Sequence, residues 1–192
     1  TMDVVITVTG ADDDVTAGAD QTGAVTEDAT ATTATGTIAG SDADDASSLA
    51  YTGDATGTYG SIAVVSGSGA WTYTLSNSDA DTTALDAGDS VTDTFTMTVS
   101  DGTASDTMDV VITVTGANDA PSAGSDGTGA VTEDASTSTS TGSISATDAD
   151  DAAAFTYSGD ATGTYGAIAV DSAGAWTYTL SNSDADTTAL DA

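Results

Sequence analysis

Carboxylates are the side chains of this sequence whose type and spacing could support ion chemistry. The 192 residues include 31 acidic residues and no Lys, Arg, His or Cys, which gives a formal net charge of −31 at pH 7. Many of the acids stand in short groups, as in Asp42-Ala-Asp44-Asp45 and Asp79-Ala-Asp81. Clustered oxygen ligands are what Ca²⁺ prefers, because this hard cation takes six to eight of them. The chemistry therefore depends on which elements bring these groups together.

The composition argues against several classes of function. Without His, Cys, Lys or Arg, nucleophilic and phosphoryl-transfer chemistry lacks its usual residues, so we do not expect an enzyme. A chain without basic residues is not expected to bind nucleic acid. No apolar run approaches the ~20 residues that cross a bilayer, so no direct membrane insertion is expected. Without cysteine there are no disulfides or thiolate metal sites.

The sequence repeats itself with a period of about 105 residues. Residues 1–10 are identical to residues 107–116, and the motif Gly-Ala-Val-Thr-Glu-Asp-Ala occurs at both 23–29 and 129–135. Such self-similarity is the mark of a tandem array. We therefore expect three parts: residues 1–10 as the last strand of a preceding repeat, residues 11–116 as a complete repeat, and residues 117–192 as a second repeat that lacks its last two strands.

Each repeat contains short alternating stretches that predict β-strands. Apolar residues alternate with Thr or Ser, which is typical of half-buried strands, and no stretch shows helical periodicity. Seven short strands in about 105 residues predict an all-β fold of immunoglobulin-like β-sandwich repeats. Trp71 and Trp176 each share a strand face with Tyr and Leu and are expected in the core. The predicted strands of the first repeat are 24–26, 35–41, 49–52, 60–65, 71–75, 91–99 and 108–114.

Strand direction alternates in a sandwich, so the acidic loops sort to its two ends. We call the end where a repeat begins its top and the opposite end its bottom. The loop after the first strand and the loop after the fifth lie at the bottom, as does the linker with Asn118 and Asp119. The expected bottom acids of the first repeat are Glu27, Asp28, Asp79 and Asp81. The expected top acids are Asp42, Asp44, Asp45 and Asp101 in the first repeat and Asp148, Asp150 and Asp151 in the second.

The bottom of the first repeat, the linker and the top of the second repeat are thus expected to meet at one joint. Uncompensated, so many carboxylates would repel one another, and Ca²⁺ would reverse the sign of the interaction. Mg²⁺ is a poorer match, because it keeps more of its waters. The two Glu residues, Glu27 and Glu133, occupy equivalent places, where a longer arm suits bidentate ligation. Asp12 and Asp13 extend the candidate set to the linker before the first complete repeat.

These residues resemble a known pattern. The linker Ala117-Asn118-Asp119-Ala120-Pro121 is similar to the Ca²⁺-binding linker of cadherin repeats, and Glu27, Asp42-x-Asp44 and Asp148-x-Asp150 match the family's ligands residue by residue. Asp79 and Asp81 match by position alone. The motifs 57–60, 71–75, 85–95 and 99–102 resemble VCBS-type, cadherin-like repeats of giant RTX-type bacterial adhesins. The first linker, 11–14, lacks the Asn and the Pro and departs from that pattern.

The resemblance implies extender repeats on a bacterial surface, exported by type I secretion and stiffened by Ca²⁺ at the joints. The expected partners are neighbouring repeats of the same chain and other copies in a fibre. Two alternatives stay open. One is a module that binds ice or a glycan through Thr-rich strand faces, such as Thr94, Thr96 and Thr98. The other is a filament subunit assembled by strand exchange, with residues 1–10 completing a neighbour.

Overall fold

A computed structural model describes residues 1–44, 49–150 and 155–190. The chain divides into two compact units, Thr1–Asn118 and Asp119–Ala192, so the division falls two residues after the expected repeat boundary. The fold is all-β, as the alternating patterns predicted. Across these described ranges no helix is long and apolar enough to cross a membrane.

In its described part, unit 1 contains two four-stranded sheets and one short strand pair. One sheet has the order β2-β10-β9-β5, the other has the order β3-β8-β7-β6, and β1 pairs with β4. The pairing of β2 with β10 is parallel, and the others are antiparallel. The strands are β1 (Thr16–Ala17), β2 (Gln21–Thr26), β3 (Thr33–Thr37), β4 (Gly40–Ser41), β5 (Ala50–Thr52), β6 (Ala55–Thr56), β7 (Gly60–Val64), β8 (Ala70–Leu75), β9 (Ser90–Ser100) and β10 (Ser105–Thr115).

The core of unit 1 lies between the inner faces of these two sheets. From Met108 onward strand β10 buries every second residue, and its neighbour β9 does the same from Asp93 onward, as expected for strands with one face inward. Trp71 and Tyr73 of β8 face them from the other sheet, and both are almost completely buried. The expectation that Trp71 and Trp176 belong to the core is confirmed, since they are 2% and 7% exposed.

Several strand boundaries differ from the expected ones. The stretch 35–41 was expected to be one strand, but it divides into β3 and β4, which pair in different sheets. Ile38 lies between them and is 1% exposed, so the chain bends there to bury that side chain. Strand β2 begins three residues earlier than expected because it pairs with β10 along all six of its residues. The two-residue strands β1 and β6 are too short for a pattern to reveal.

In its described part, unit 2 contains the counterpart of only one of the two large sheets. Its four-stranded sheet has the order β12-β16-β15-β14, which matches β3-β8-β7-β6, and β11 pairs with β13 as β1 pairs with β4. Residues 127–132, which correspond to β2, form no strand. The strands are β11 (Ser122–Ala123), β12 (Thr139–Ser143), β13 (Ala146–Thr147), β14 (Ala161–Thr162), β15 (Gly166–Val170) and β16 (Ala175–Leu180).

Candidate metal centre

Glu27 is the most buried of the candidate ligands that the structure describes in unit 1. It follows the last residue of β2, and its side chain is only 2% exposed. The end of β10 fixes it twice: its backbone N–H donates to the Thr115 carbonyl at 2.9 Å, and its Oε2 accepts from the Ala117 N–H at 3.1 Å. A charged group this buried is costly unless it is compensated. The strand that runs into the linker therefore also positions the acid expected at the bottom.

Asp28 does a different task at the same end of unit 1. Its backbone adopts φ 54°, a left-handed conformation that Asp tolerates better than most residues. Its N–H donates to the Asn77 side-chain oxygen at 2.9 Å, and its carboxylate accepts from the Asn77 amide in return. The reciprocal pair recurs in unit 2 as Asp134 with Asn182, again with φ 54°. Asp28 thus clamps the loop after β2 to the loop after β8, which confirms that these two loops share an end.

Asp79 and Asp81 lie in the turn that follows β8, and both are exposed. The Asp79 carboxylate accepts from the Asp81 N–H at 3.2 Å, a local bond that closes the turn. The next residue, Thr82, is completely buried, and its hydroxyl has no hydrogen-bond partner. The equivalent Thr187 shows the same burial and the same unmatched hydroxyl.

The top of unit 1 gathers acids from two segments. Asp44 accepts from the Asp13 N–H at 3.2 Å, and Asp42 accepts from the Asp44 N–H at 3.0 Å. The pKa of Asp44 is raised above its usual value, first by its side-chain hydrogen bond with Asp42. The charges of Asp42 and Asp12 also raise it, while the backbone bond from Asp13 lowers it. These carboxylates therefore crowd one another in a chain that has no basic side chain to compensate them.

The top of unit 2 repeats this arrangement. Asp150 accepts from the Asp119 N–H at 2.8 Å, as Asp44 does from Asp13. The pKa of Asp148 is raised, first by its side-chain hydrogen bond with Asp150, then by burial and by the Asp150 charge. One carboxylate oxygen of Asp148 is buried and has no hydrogen-bond partner. The linker residue Asp119 is thus tied to the acidic loop of unit 2.

The remaining candidate residues are less closely engaged or fall outside the description. The Asp101 carboxylate accepts from the N–H groups of Thr103 and Ala104 at 2.6 and 2.7 Å, so it closes the β9–β10 turn. Glu133 is half-buried, whereas the equivalent Glu27 is buried. Asn118 is exposed at the end of unit 1. Asp45 and Asp151 lie outside the described residues.

Whether these residues fit a Ca²⁺ ion can be judged from the donor set. Within residues 1–44, 49–150 and 155–190, no group of three or more acidic side chains is arranged to hold a metal ion. The chemistry is nonetheless suitable: at each top end one carboxylate raises the pKa of its neighbour, Asp42 that of Asp44 and Asp150 that of Asp148, and Asp148 adds a buried oxygen without a donor. Hard oxygen donors of this kind suit Ca²⁺ and offer nothing to softer metals.

Asp93 is a buried carboxylate that the pattern of the sequence did not single out. It is 4% exposed and accepts three hydrogen bonds, from the N–H groups of Thr58 and Tyr59 and from the Tyr73 hydroxyl, at 2.8, 3.1 and 2.9 Å. A Cβ on Gly57 would meet its carboxyl carbon at 2.5 Å, so this position requires glycine. Its burial could have been predicted from the alternation of β9, because Asp93 lies on the same strand face as the inward-facing Phe95 and Met97.

The Thr-rich strand faces point away from the core. Thr92, Thr94 and Thr96 of β9 are exposed, and their β10 neighbours Thr113 and Val111 are half-buried. Threonine is a common residue on the outer face of a strand, where its branched side chain fits the pleated surface. A role for these rows in ice or glycan binding stays a prediction.

Comparison with known proteins agrees with this geometry. A family profile described as "Bacterial cadherin-like domain" matches residues 12–116. Among solved structures, protocadherin gamma B7 extracellular cadherin domains 1–4 align with 92% of this chain at 16% identity and a TM-score of 0.51, with 43% of that structure covered. Human CDH23 EC21–23 aligns with 91% of this chain at 16% identity and a TM-score of 0.47, with 56% covered.

The chain spans about half the length of these structures. At 16% identity, the protocadherin structure supports the fold alone. No curated protein matches the sequence. The family profile covers more than half of the chain and includes every strand of unit 1. The chain therefore belongs to the family of bacterial cadherin-like domains.

Proposed function

We propose that the chain is an extracellular spacer whose repeats are stiffened by Ca²⁺ bound at the joints between them. Cadherin-like domains are structural and adhesion modules rather than enzymes, they are extracellular, and they commonly bind Ca²⁺. The finer statements, that this chain binds Ca²⁺ and serves a bacterial surface adhesin exported by type I secretion, are proposals.

The observation that supports the proposal most is the crowding of paired carboxylates at the top of both units. Asp42 lies beside Asp44, and Asp148 lies beside Asp150; in each case the neighbour raises a carboxyl pKa, and no cationic side chain exists anywhere in the chain. Like charges held together by the fold cost stability in the absence of a counterion. A bound divalent cation would turn this repulsion into attraction.

The proposed ligands come from the linker and from the unit ends on its two sides. Glu27, Asp79 and Asp81 would contribute from unit 1, and Asp148, Asp150 and Asp151 from unit 2. Asn118 and Asp119 would contribute from the linker, where the backbone N–H of Asp119 is already bonded to Asp150. The ion would supply charge neutralisation and a fixed coordination shell for the carboxylates that it binds.

Ca²⁺ concentration would make this stiffening specific to the extracellular space. Extracellular Ca²⁺ modules bind with dissociation constants of about 10⁻⁴–10⁻³ M, far above cytosolic concentrations. The chain would therefore remain flexible before export and become stiff outside the cell. Adhesion itself would depend on other parts of a longer protein or on copies assembled into a fibre.

Calorimetric titration with Ca²⁺ tests the proposal directly. We expect binding with a dissociation constant of about 10⁻⁴–10⁻³ M and weaker binding of Mg²⁺. Asp150→Asn should remove at least one binding event, because it alters the paired carboxylates. The matched control is Asp126→Asn, which makes the same change in an exposed stretch of unit 2 and should bind as the wild type does. Absence of heat with Ca²⁺, or an equal loss in both variants, would count against the proposal.

A further inference from the structure

Strand β2 lies parallel to β10 at the edge of its sheet. Six residues of β2 pair in register with β10, from Gln21 opposite Val110 to Thr26 opposite Thr115, at a constant separation of 89 positions in the sequence. On its other side β10 pairs with β9 over eleven residues. The ladder between β2 and β10 is therefore the weaker of the two attachments of β10.

The parallel direction decides how this ladder responds to tension along the chain. Tension reaches β2 at Gln21 and β10 at Thr115, which lie at opposite ends of the ladder because the two strands run the same way. The strands are then pulled lengthwise past each other, and the evenly spaced bonds of a parallel pair share the force. A pull on both strands from one end would instead break the bonds in turn.

Two carboxylates lengthen the ladder on the side that precedes β2. The Asp106 side chain accepts from the Ala17 N–H at 2.8 Å, and the Asp20 side chain accepts from the Asp109 N–H at 2.8 Å. Both bonds keep the separation of 89 positions that the six strand pairs have. Since one acid belongs to each partner, the segment before β2 is bonded to β10 in both directions.

Glu27 lengthens the ladder at its other end. Its backbone N–H donates to the Thr115 carbonyl at 2.9 Å, and its Oε2 accepts from the Ala117 N–H at 3.1 Å. Bonds between the two partners therefore run from residue 17 to residue 27 on one side and from residue 106 to residue 117 on the other. We call residues 17–27 and 106–117 together the extended ladder.

The bonds to Asp20 and Asp106 suit a role under tension better than a role at equilibrium. Hydrogen bonds to an ionised carboxylate are stronger than bonds between neutral groups. The pKa of Asp106 is lowered from its usual value, first by the backbone bond from Ala17 and then by that from Thr107, so the ionised form is the one held. Both acids are exposed, and water competes for their bonds when the chain unfolds. Their effect on the unfolding free energy should therefore be small.

We propose that unit 1 is a force-bearing module in which the extended ladder, with Asp20, Asp106 and Glu27 at its ends, resists tension along the chain. This role rests on the proposed function as a spacer, because a spacer at a cell surface transmits tension, but it requires no Ca²⁺. The ladder must break before unit 1 can lengthen, so the spacer keeps its length under tension. Asp20 and Asp106, which are not among the expected metal ligands, thereby acquire a mechanical function.

Single-molecule force spectroscopy in chelator tests the direction of this resistance on the full chain. The chain has no cysteine, so attachment points can be introduced in pairs. Gly10→Cys with Ala120→Cys pulls unit 1 end to end, and Gly10→Cys with Thr103→Cys pulls the ladder from one end, because Thr103 lies in the turn before β10. Unfolding of unit 1 is identified by a gain in length of at most about 3.6 Å for each residue between the attachment points. We expect a higher unfolding force end to end at the same pulling speed, and equal forces in the two directions would overturn the proposal.

Substitution of the acids separates the extended ladder from general stability. Asp20→Ala and Asp106→Ala, each alone, should lower the end-to-end unfolding force and leave the force in the other direction nearly unchanged, since the bonds there break one at a time. The matched control is Asp109→Ala, the same change in β10, whose carboxylate accepts from Thr96 of β9 and whose N–H remains available to Asp20. It should keep the wild-type force in both directions. No loss end to end, an equal loss in both directions, or an equal loss in the control would refute the role of the two acids.

A conservative variant and a calcium titration complete the test. Asp106→Asn keeps an acceptor oxygen and removes the charge, so its end-to-end force should fall less than that of Asp106→Ala; an equal fall would contradict a bond to the Ala17 N–H. Absence of Ca²⁺ binding would refute stiffening at the joints and leave the directional difference in chelator intact. Equal forces in the two directions would refute the ladder whether or not the chain binds Ca²⁺.

Discussion

Replacing Glu27 with Gln separates its role as a Ca²⁺ ligand from its role in packing. The side chain is 2% exposed, and its Oε2 accepts from the Ala117 N–H at 3.1 Å. Gln has the same size and retains one acceptor oxygen, so that hydrogen bond can persist while the charge is lost. In chelator, the melting temperature of the variant should equal or slightly exceed that of the wild type, because a buried charge has been removed.

The expected loss in Ca²⁺ follows from mass action. With a dissociation constant of about 10⁻⁴–10⁻³ M, about 10 mM Ca²⁺ stabilises a folded site by roughly 1.4–2.7 kcal/mol. For a domain of this size, 1 kcal/mol shifts the melting temperature by about 4–8 °C. The wild type should therefore melt roughly 6–20 °C higher in Ca²⁺ than in chelator, and the Glu27→Gln variant should lose most of that increase.

Differential scanning calorimetry with Ca²⁺ and with chelator measures both quantities. The matched control is Glu133→Gln, the same change at the only other Glu in the chain. Glu133 is half-buried, and no strand in the described part of its unit corresponds to β10, whose end holds Glu27. Its substitution should reduce the Ca²⁺-induced increase by less than half as much. A full increase in Glu27→Gln, or an equal loss in the two variants, would refute the reasoning.

Two further predictions concern the buried polar centre of unit 1. Asp93→Ala leaves three donors without their acceptor and should lower the unfolding free energy by about 3–5 kcal/mol in urea denaturation; a loss below about 1 kcal/mol would show that the carboxylate is not structural. Burial, assisted by the bond to Asp93, raises the pKa of Tyr73 above its usual value of 10.0. The protonated Tyr73 hydroxyl therefore makes its full contribution to the unfolding free energy below about pH 10, and this contribution is lost as the pH rises further. The unfolding free energy of Tyr73→Phe should decline less steeply at alkaline pH than that of the wild type, and an unchanged slope would contradict this.

The sequence was sufficient for the fold because its strands alternate with period two. Residues of β9 and β10 such as Met97, Val99, Ile112 and Val114 are all buried, as the alternation predicts. Strand direction also sorted the loops correctly within a unit, since Asp28 meets Asn77 at one end and Asp13 meets Asp44 at the other. The family profile confirms the cadherin-like fold.

The individual tasks of the acids could not be predicted from the sequence. The chain has 29 Asp residues, and the sequence alone does not distinguish an Asp that binds a metal from one that closes a turn or one that lies in the core. Asp28 clamps two loops through Asn77 and Asp93 anchors the core through Tyr73, and each task depends on a partner that is distant in the sequence. Hydrogen-bond partners of this kind are set by tertiary contacts, and local spacing does not encode them.

The central claim, that Ca²⁺ stiffens the chain, is tested most directly by small-angle X-ray scattering with and without a chelator. Profiles extrapolated to zero protein concentration report a single chain. We predict a larger maximum dimension in Ca²⁺ than in chelator, and no such difference when Asp119→Ala is added. Superimposable profiles with and without Ca²⁺ in the chain that retains Asp119 would contradict the account.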